Sequence, residues 1–112
     1  MVFLYDRRFL NSLIILLFYT ERELLVSLNG LSESVQGFPS LPNVPQEINN
    51  LKTQFDRATL LLDKEYSLDH FKETLKLAPY EIVHIASHGQ FDRNPNKTFI
   101  LTYDDKLTMD RL

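Results

Sequence analysis

Residues Glu81-Ile82-Val83-His84-Ile85-Ala86-Ser87 form a run with no alternation of apolar and polar side chains, closed at once by His88-Gly89. A strand wetted on one side alternates, whereas one covered on both faces by helices does not, so this run predicts a strand of a parallel sheet held between layers. Two shorter runs share the character. Leu24-Leu25-Val26-Ser27-Leu28 closes on Asn29-Gly30, and Ala58 to Leu62 closes on Asp63.

The stretches between the runs read as helices. Asn43 is placed to cap one, with Pro45 in a first turn that tolerates a missing N–H, and Val44, Ile48, Leu51 and Phe55 recur at helical spacing. Ser67 is placed to cap a second, Leu68 to Leu77, in which Leu68, Phe71 and Leu75 share a face and Pro79 stops the helix. Strand, helix, strand, helix, strand with connections of this length predicts an α/β fold of three parallel strands joined by right-handed crossovers. Residues 30 to 43 hold two Gly, three Ser and two Pro and predict a surface loop. Downstream, Thr98 to Tyr103 reads as a further strand or hairpin arm, Asp104-Asp105 as a turn, and Thr108 as the cap of a helix from Met109. Asp63-Lys64-Glu65 and Asp104-Asp105-Lys106 read as solvated turns.

With 112 residues, the chain has room for one core. Lys plus Arg number 12 against 15 Asp plus Glu, and no basic run exceeds Arg7-Arg8, so a nucleic-acid partner is not expected. The apolar stretch Leu13 to Tyr19 falls well short of the roughly 18 residues a membrane span needs. Arg7-Arg8 before it imitates a signal peptide, but Glu21-Arg22-Glu23 follows with no small-residue cleavage site. A core-packed helix or strand and a cytoplasmic location are expected instead. Cysteine is absent, which excludes a disulfide scaffold, a thiolate metal site and a thiol nucleophile within these residues.

Reactive groups in open α/β sheets gather at the carboxyl ends of strands, and His88 stands at such an end beside Gly89, which lets the backbone turn and approach a ligand. Imidazole titrates near neutrality and suits general acid and base work, although a histidine that only caps a strand end is the blander alternative. At the strand period of two, His84, Ala86 and His88 point to one face. His84, in a strand covered on both sides, is expected as a core histidine or a support behind His88. A metal site would need His84 and His88 with Asp92 or His70, and a zincin pattern is absent because Ile85 follows His84 on a strand, so neither metal nor cofactor is expected. No glycine-rich phosphate loop occurs, and Ser87 lacks the flanking glycines of a nucleophile elbow.

Four segments, in order, resemble the CHAT family, caspase-like domains found mainly at the carboxyl end of bacterial, especially cyanobacterial, chains with tetratricopeptide repeats. They are Leu31-Ser32-Glu33-Ser34-Val35-Gln36-Gly37-Phe38-Pro39, Leu41-Pro42-Asn43-Val44-Pro45-Gln46-Glu47, Ile82 through Phe91, and Lys106-Leu107-Thr108-Met109-Asp110. The resemblance covers residues 24 to 112, and residues 1 to 23 match poorly. It implies a caspase-type sheet of strand order 2-1-3-4 onward, with His88 as general base and acid and the Gly89 amide as oxyanion donor. It also implies a cysteine at the end of the fourth strand, some tens of residues past the Lys106-Leu107-Thr108-Met109-Asp110 element. The chain as given stops at Leu112. The expectation is therefore the histidine-bearing first half of a cysteine endopeptidase domain, inactive alone, with a peptide or protein partner and another chain supplying the rest. The alternative is a non-catalytic interaction module or degenerate remnant that binds partners through an open sheet edge. That edge would belong to the third strand, covered by the 98 to 103 strand, by another chain, or by nothing.

Overall fold

A computed structural model describes residues 2–6, 24–108 and 110. The main sheet holds β1 (Val2–Asp6), β2 (Leu25–Gly30), β3 (Arg57–Leu62) and β4 (Ile82–Ala86) in the order β1-β4-β2-β3. β2 pairs parallel with β3 on one side and with β4 on the other. These are the three expected strands in the expected order, second-first-third. Helix α1 (Val44–Lys52) connects β2 to β3, and α2 (Leu68–Leu77) connects β3 to β4.

That order dictates the layering. The chain steps from β2 outward to β3 and then back across β2 to β4, so two right-handed crossovers must lie on opposite faces of the sheet. The cores agree. Val26, Leu28, Ile82 and Ala86 share one face with Val44 and Ile48 of α1. Leu61 and Ile85 turn to the other, where Leu68 and Phe71 of α2 meet them. Burial of each such aliphatic side chain contributes about 1.5–3 kcal/mol, which is why two turns of α1 suffice to hold its face.

The helix ends differ from one another. Ser67 Oγ accepts from His70 N–H, as expected of a capping serine. Asn43 holds the cap position of α1 without a side-chain bond; it sits in helical backbone geometry, where its side chain is not directed at the first-turn amides, and its carbonyl accepts from Glu47 N–H instead. Phe55 lies beyond the end of α1 and packs, half-buried, against the cluster on that face.

A second sheet, antiparallel throughout, contains β5 (Gly89–Gln90), β6 (Phe99–Leu101) and β7 (Lys106–Thr108) in that order. Phe99, Ile100, Leu101 and Leu107 join the core on the α2 side. The strand expected over 98 to 103 is thus shorter and pairs within this sheet. The helix expected from Met109 and the apolar stretch Leu13 to Tyr19 lie outside the described residues.

Two corrections follow from the bonding. The third strand does not expose its edge, because β1 runs antiparallel along β4 from Val2↔Ala86 to Asp6↔Ile82. The two acidic turns are not merely solvated. Asp63 accepts from Ser32 N–H (2.7 Å), Glu33 N–H (3.0 Å) and Ser32 Oγ (2.6 Å), and Asp104 Oδ1 accepts from Leu68 N–H (2.9 Å) at the start of α2. Asp104 meets the orphan first amide and the positive end of α2, and Asp63 meets amides of the loop after β2, so each turn is a tie between elements.

Candidate active site

β2 and β4 are neighbours whose following segments leave toward different elements, and such a switch point opens a crevice at the carboxyl ends of the strands. Leu31 N–H donates to the Ala86 carbonyl (2.9 Å), so the two strand ends are joined as they diverge. Ser87 then bends the chain. Its fully buried hydroxyl donates to the Leu101 carbonyl (2.6 Å), which binds the end of β4 to the second sheet and leaves the next residue at the rim.

His88 is half-buried there. Its ring lies 5.2 Å from that of Phe38 at 35°, and Phe38 meets Phe99 edge to face at 6.1 Å. Nε2 stands 2.8 Å from the Pro39 carbonyl oxygen. A carbonyl only accepts, so this bond places the hydrogen on Nε2 and leaves Nδ1 as the basic nitrogen.

Gly89 follows with a second useful group. Leu101 N–H donates to the His88 carbonyl (2.9 Å), while Gly89 is in register with Ile100. A bond from the residue after Ile100 to the residue before Gly89 flanks a pair whose own N–H and C=O groups turn away from each other. The Gly89 N–H therefore points away from β6, outside the ladder.

The loop that holds His88 is itself held. Gln36 and Gly37 take positive φ (51° and 82°), which turns the chain so that Ser34 Oγ donates to the Phe38 carbonyl (2.7 Å). Gln36 Nε2 donates to the Thr102 carbonyl (3.0 Å), and Asp63 fixes Ser32 and Glu33. The Pro39 carbonyl thus has anchors on both the main sheet and the second one.

His84 is not at the rim. It is 5% exposed, on the face shared by Ile82 and Ala86, and burial lowers its pKa against an opposing pull from Glu47. Its Nδ1 has no partner, while its carbonyl accepts from Asn29 Nδ2 (3.2 Å). The shared face with His88 does not materialise. β4 ends at Ala86, the strand period stops there, and Phe38, on which His88 rests, packs on the α2-side cluster instead. His70 Nδ1 donates to the Glu65 carbonyl (2.7 Å) and Asp92 Oδ1 accepts from Asn94 N–H (2.8 Å). Among the described residues, no group of three or more His, Cys, Asp or Glu is placed to hold a metal ion. Nor, among them, is any helix long and apolar enough to cross a membrane.

Sequence reasoning reached His88 and Gly89 but not Phe38 and Pro39 as their neighbours. Phe38-Pro39 stands in one of the family-like segments, yet a main-chain acceptor carries no side-chain signature. The model of the CHAT domain family matches residues 18–112, beginning six residues before the boundary expected from the motifs. Comparison with curated proteins and with solved structures gave no match.

Proposed function

We propose, because the chain belongs to the CHAT domain family, that its residues carry the histidine-bearing half of a caspase-type cysteine endopeptidase site. The observation that carries this reading is the His88 imidazole at the carboxyl end of β4, with Nε2–H given to the Pro39 carbonyl and Nδ1 left as base. The thiol comes from a cysteine outside these 112 residues, which contain none. His88 Nδ1 takes the thiol proton, and the thiolate attacks the scissile carbonyl carbon of a peptide. The Gly89 N–H donates to the resulting oxyanion. The imidazolium gives its proton to the departing amine, and water activated by the same ring then releases the acyl group from sulfur.

In this reading the chain alone is inactive, its partner is a peptide or protein substrate together with the polypeptide that brings the thiol, and its place is the cytoplasm. His84 contributes from within β4, the strand that presents His88, by packing in the face that strand turns to α1. The rival reading is a non-catalytic interaction module or degenerate remnant that binds partners through an open sheet edge; with β4 paired to β1, that edge would be the one at β3.

The test joins a cysteine-bearing carboxyl-terminal CHAT segment after Leu112 and follows cleavage of a peptide library. Cleavage is expected, with a loss of at least about 10²-fold in His88→Ala, the low end for removal of a positioned base. Equal rates in the two proteins would remove His88 from the chemistry, and no cleavage in either would remove the peptidase reading.

A further inference from the structure

β3 ends the main sheet on the side away from β1, and among the described residues no strand lies along its outer side. Its register with β2 runs unbroken from Leu25↔Arg57 to Gly30↔Leu62, so it carries no bulge. Ala58-Thr59-Leu60-Leu61-Leu62 contains no charge and no proline. Bulges, charges and prolines are the devices that keep an edge strand from pairing with another chain, and β3 has none of them over these five residues. Ala58, Thr59, Leu60 and Leu62 are half-buried, so a neighbour would cover apolar surface as well as main-chain groups.

The charges that flank this run suit one neighbour. Asp56-Arg57 precedes it and Asp63-Lys64-Glu65 follows it. When a second copy is laid antiparallel with Leu60 opposite Leu60, Arg57 meets Asp63, Ala58 meets Leu62 and Thr59 meets Leu61, each pair occurring twice, and opposite charges so placed stabilise the pairing. Asp56 and Lys64 continue the same complementarity beyond the strand. A slip of one residue sets like charges together, Asp56 against Asp63 in one direction and Arg57 against Lys64 in the other. The signs therefore select a single register. Asp63 retains its charge for this contact, since the Ser32 N–H, Ser32 Oγ and Glu33 N–H that donate to it are neutral groups.

We propose that β3 is a self-association surface: two copies of this chain pair antiparallel through it, about a two-fold axis at Leu60, and their main sheets become one. Each β3 edge covers the other, so the assembly closes at two copies. The strands of the two copies run in opposite directions, which opens the two His88 rims at opposite ends of the joined sheet. The pairing leaves the chemistry at His88 untouched and holds under either functional reading.

The experiment uses the full 112-residue chain, which has no cysteine, so one introduced thiol reports on the axis without background. Directly opposed residues of an antiparallel pair have Cα atoms about 4.5–5.5 Å apart, within disulfide reach, and residues offset along the strands do not. Leu60→Cys should form a disulfide-linked dimer under mild oxidation. Leu62→Cys, which faces Ala58 of the other copy, should stay uncrosslinked alone and cross-link when mixed with Ala58→Cys. Sedimentation of the unsubstituted chain should show a dimer that dissociates on dilution. Arg57→Glu sets like charges at both ends of the pair and should weaken that dimer roughly tenfold, with the far-UV circular dichroism of the chain unchanged. A monomer at every concentration would overturn the pairing and leave the edge to a strand of a different protein. Equal cross-linking of Leu60→Cys and Leu62→Cys alone, or a dimer that Arg57→Glu does not weaken, would overturn the axis at Leu60.

Discussion

Burial of His84 in the α1-side face of β4 makes the proton expensive in the folded state, so its pKa lies below the ordinary value of about 6.5. The unfolded chain then takes up the proton first. The stability that neutral His84 contributes is complete above about pH 6.5 and is lost as pH falls from there toward the lowered folded value. His84→Leu should flatten this part of the profile. Urea unfolding at pH 7.5 and 5.5 is the measurement, and a variant that keeps the wild-type difference would show that the slope comes from elsewhere. At pH 7.5 the substitution should change stability by less than about 1.5 kcal/mol, because it also removes a buried nitrogen with no partner. At this scale the sequence was informative where a side chain acts alone. His88 beside Gly89 and a covered His84 were both readable. The spacing argument that joined the two histidines failed because a strand period holds only inside a strand, and nothing in the letters marks Ala86 as the last residue of β4.

Gly30 ends β2 beneath α1. A Cβ built there would overlap the Ile48 side chain and stand 2.8 Å from Val44 Cγ1, so the glycine sets how closely the helix approaches the sheet. Gly30→Ala should cost about 1–3 kcal/mol through displacement of α1, read as a lower urea midpoint with an unchanged slope. A neutral outcome would mean that the helix yields without loss. The helices and the three parallel strands were legible because their apolar spacing is set by burial on both faces of the sheet. β1 was not, since residues 2 to 6 enter the sheet antiparallel and at an edge, where pairing rests on main-chain groups that any short apolar segment possesses.

The two sheets share the α2-side core and are joined by polar ties as well. Asp104 joins the β6–β7 turn to the first amide of α2, and Tyr103 N–H donates to the Tyr66 carbonyl (2.9 Å) beside it. Asp104→Ala leaves the Leu68 N–H without its acceptor and should cost about 1–3 kcal/mol in chemical unfolding, with Asp104→Asn milder because an amide oxygen still accepts. Equal losses in the two would point to charge at the helix start as the source. Both acidic runs are solvated, as expected, but their ties were not legible for a definite reason: a charge run shows polarity and not which amides lie within its reach. Further consequences attach to the Pro39 carbonyl. Every amino acid possesses that oxygen, so residue 39 can change its letter while the imidazole keeps its tether, as long as the loop follows the same path. Insertions or deletions between Ser32 and Pro39, ordinarily harmless in a surface connection, are the changes that would let the ring swing loose.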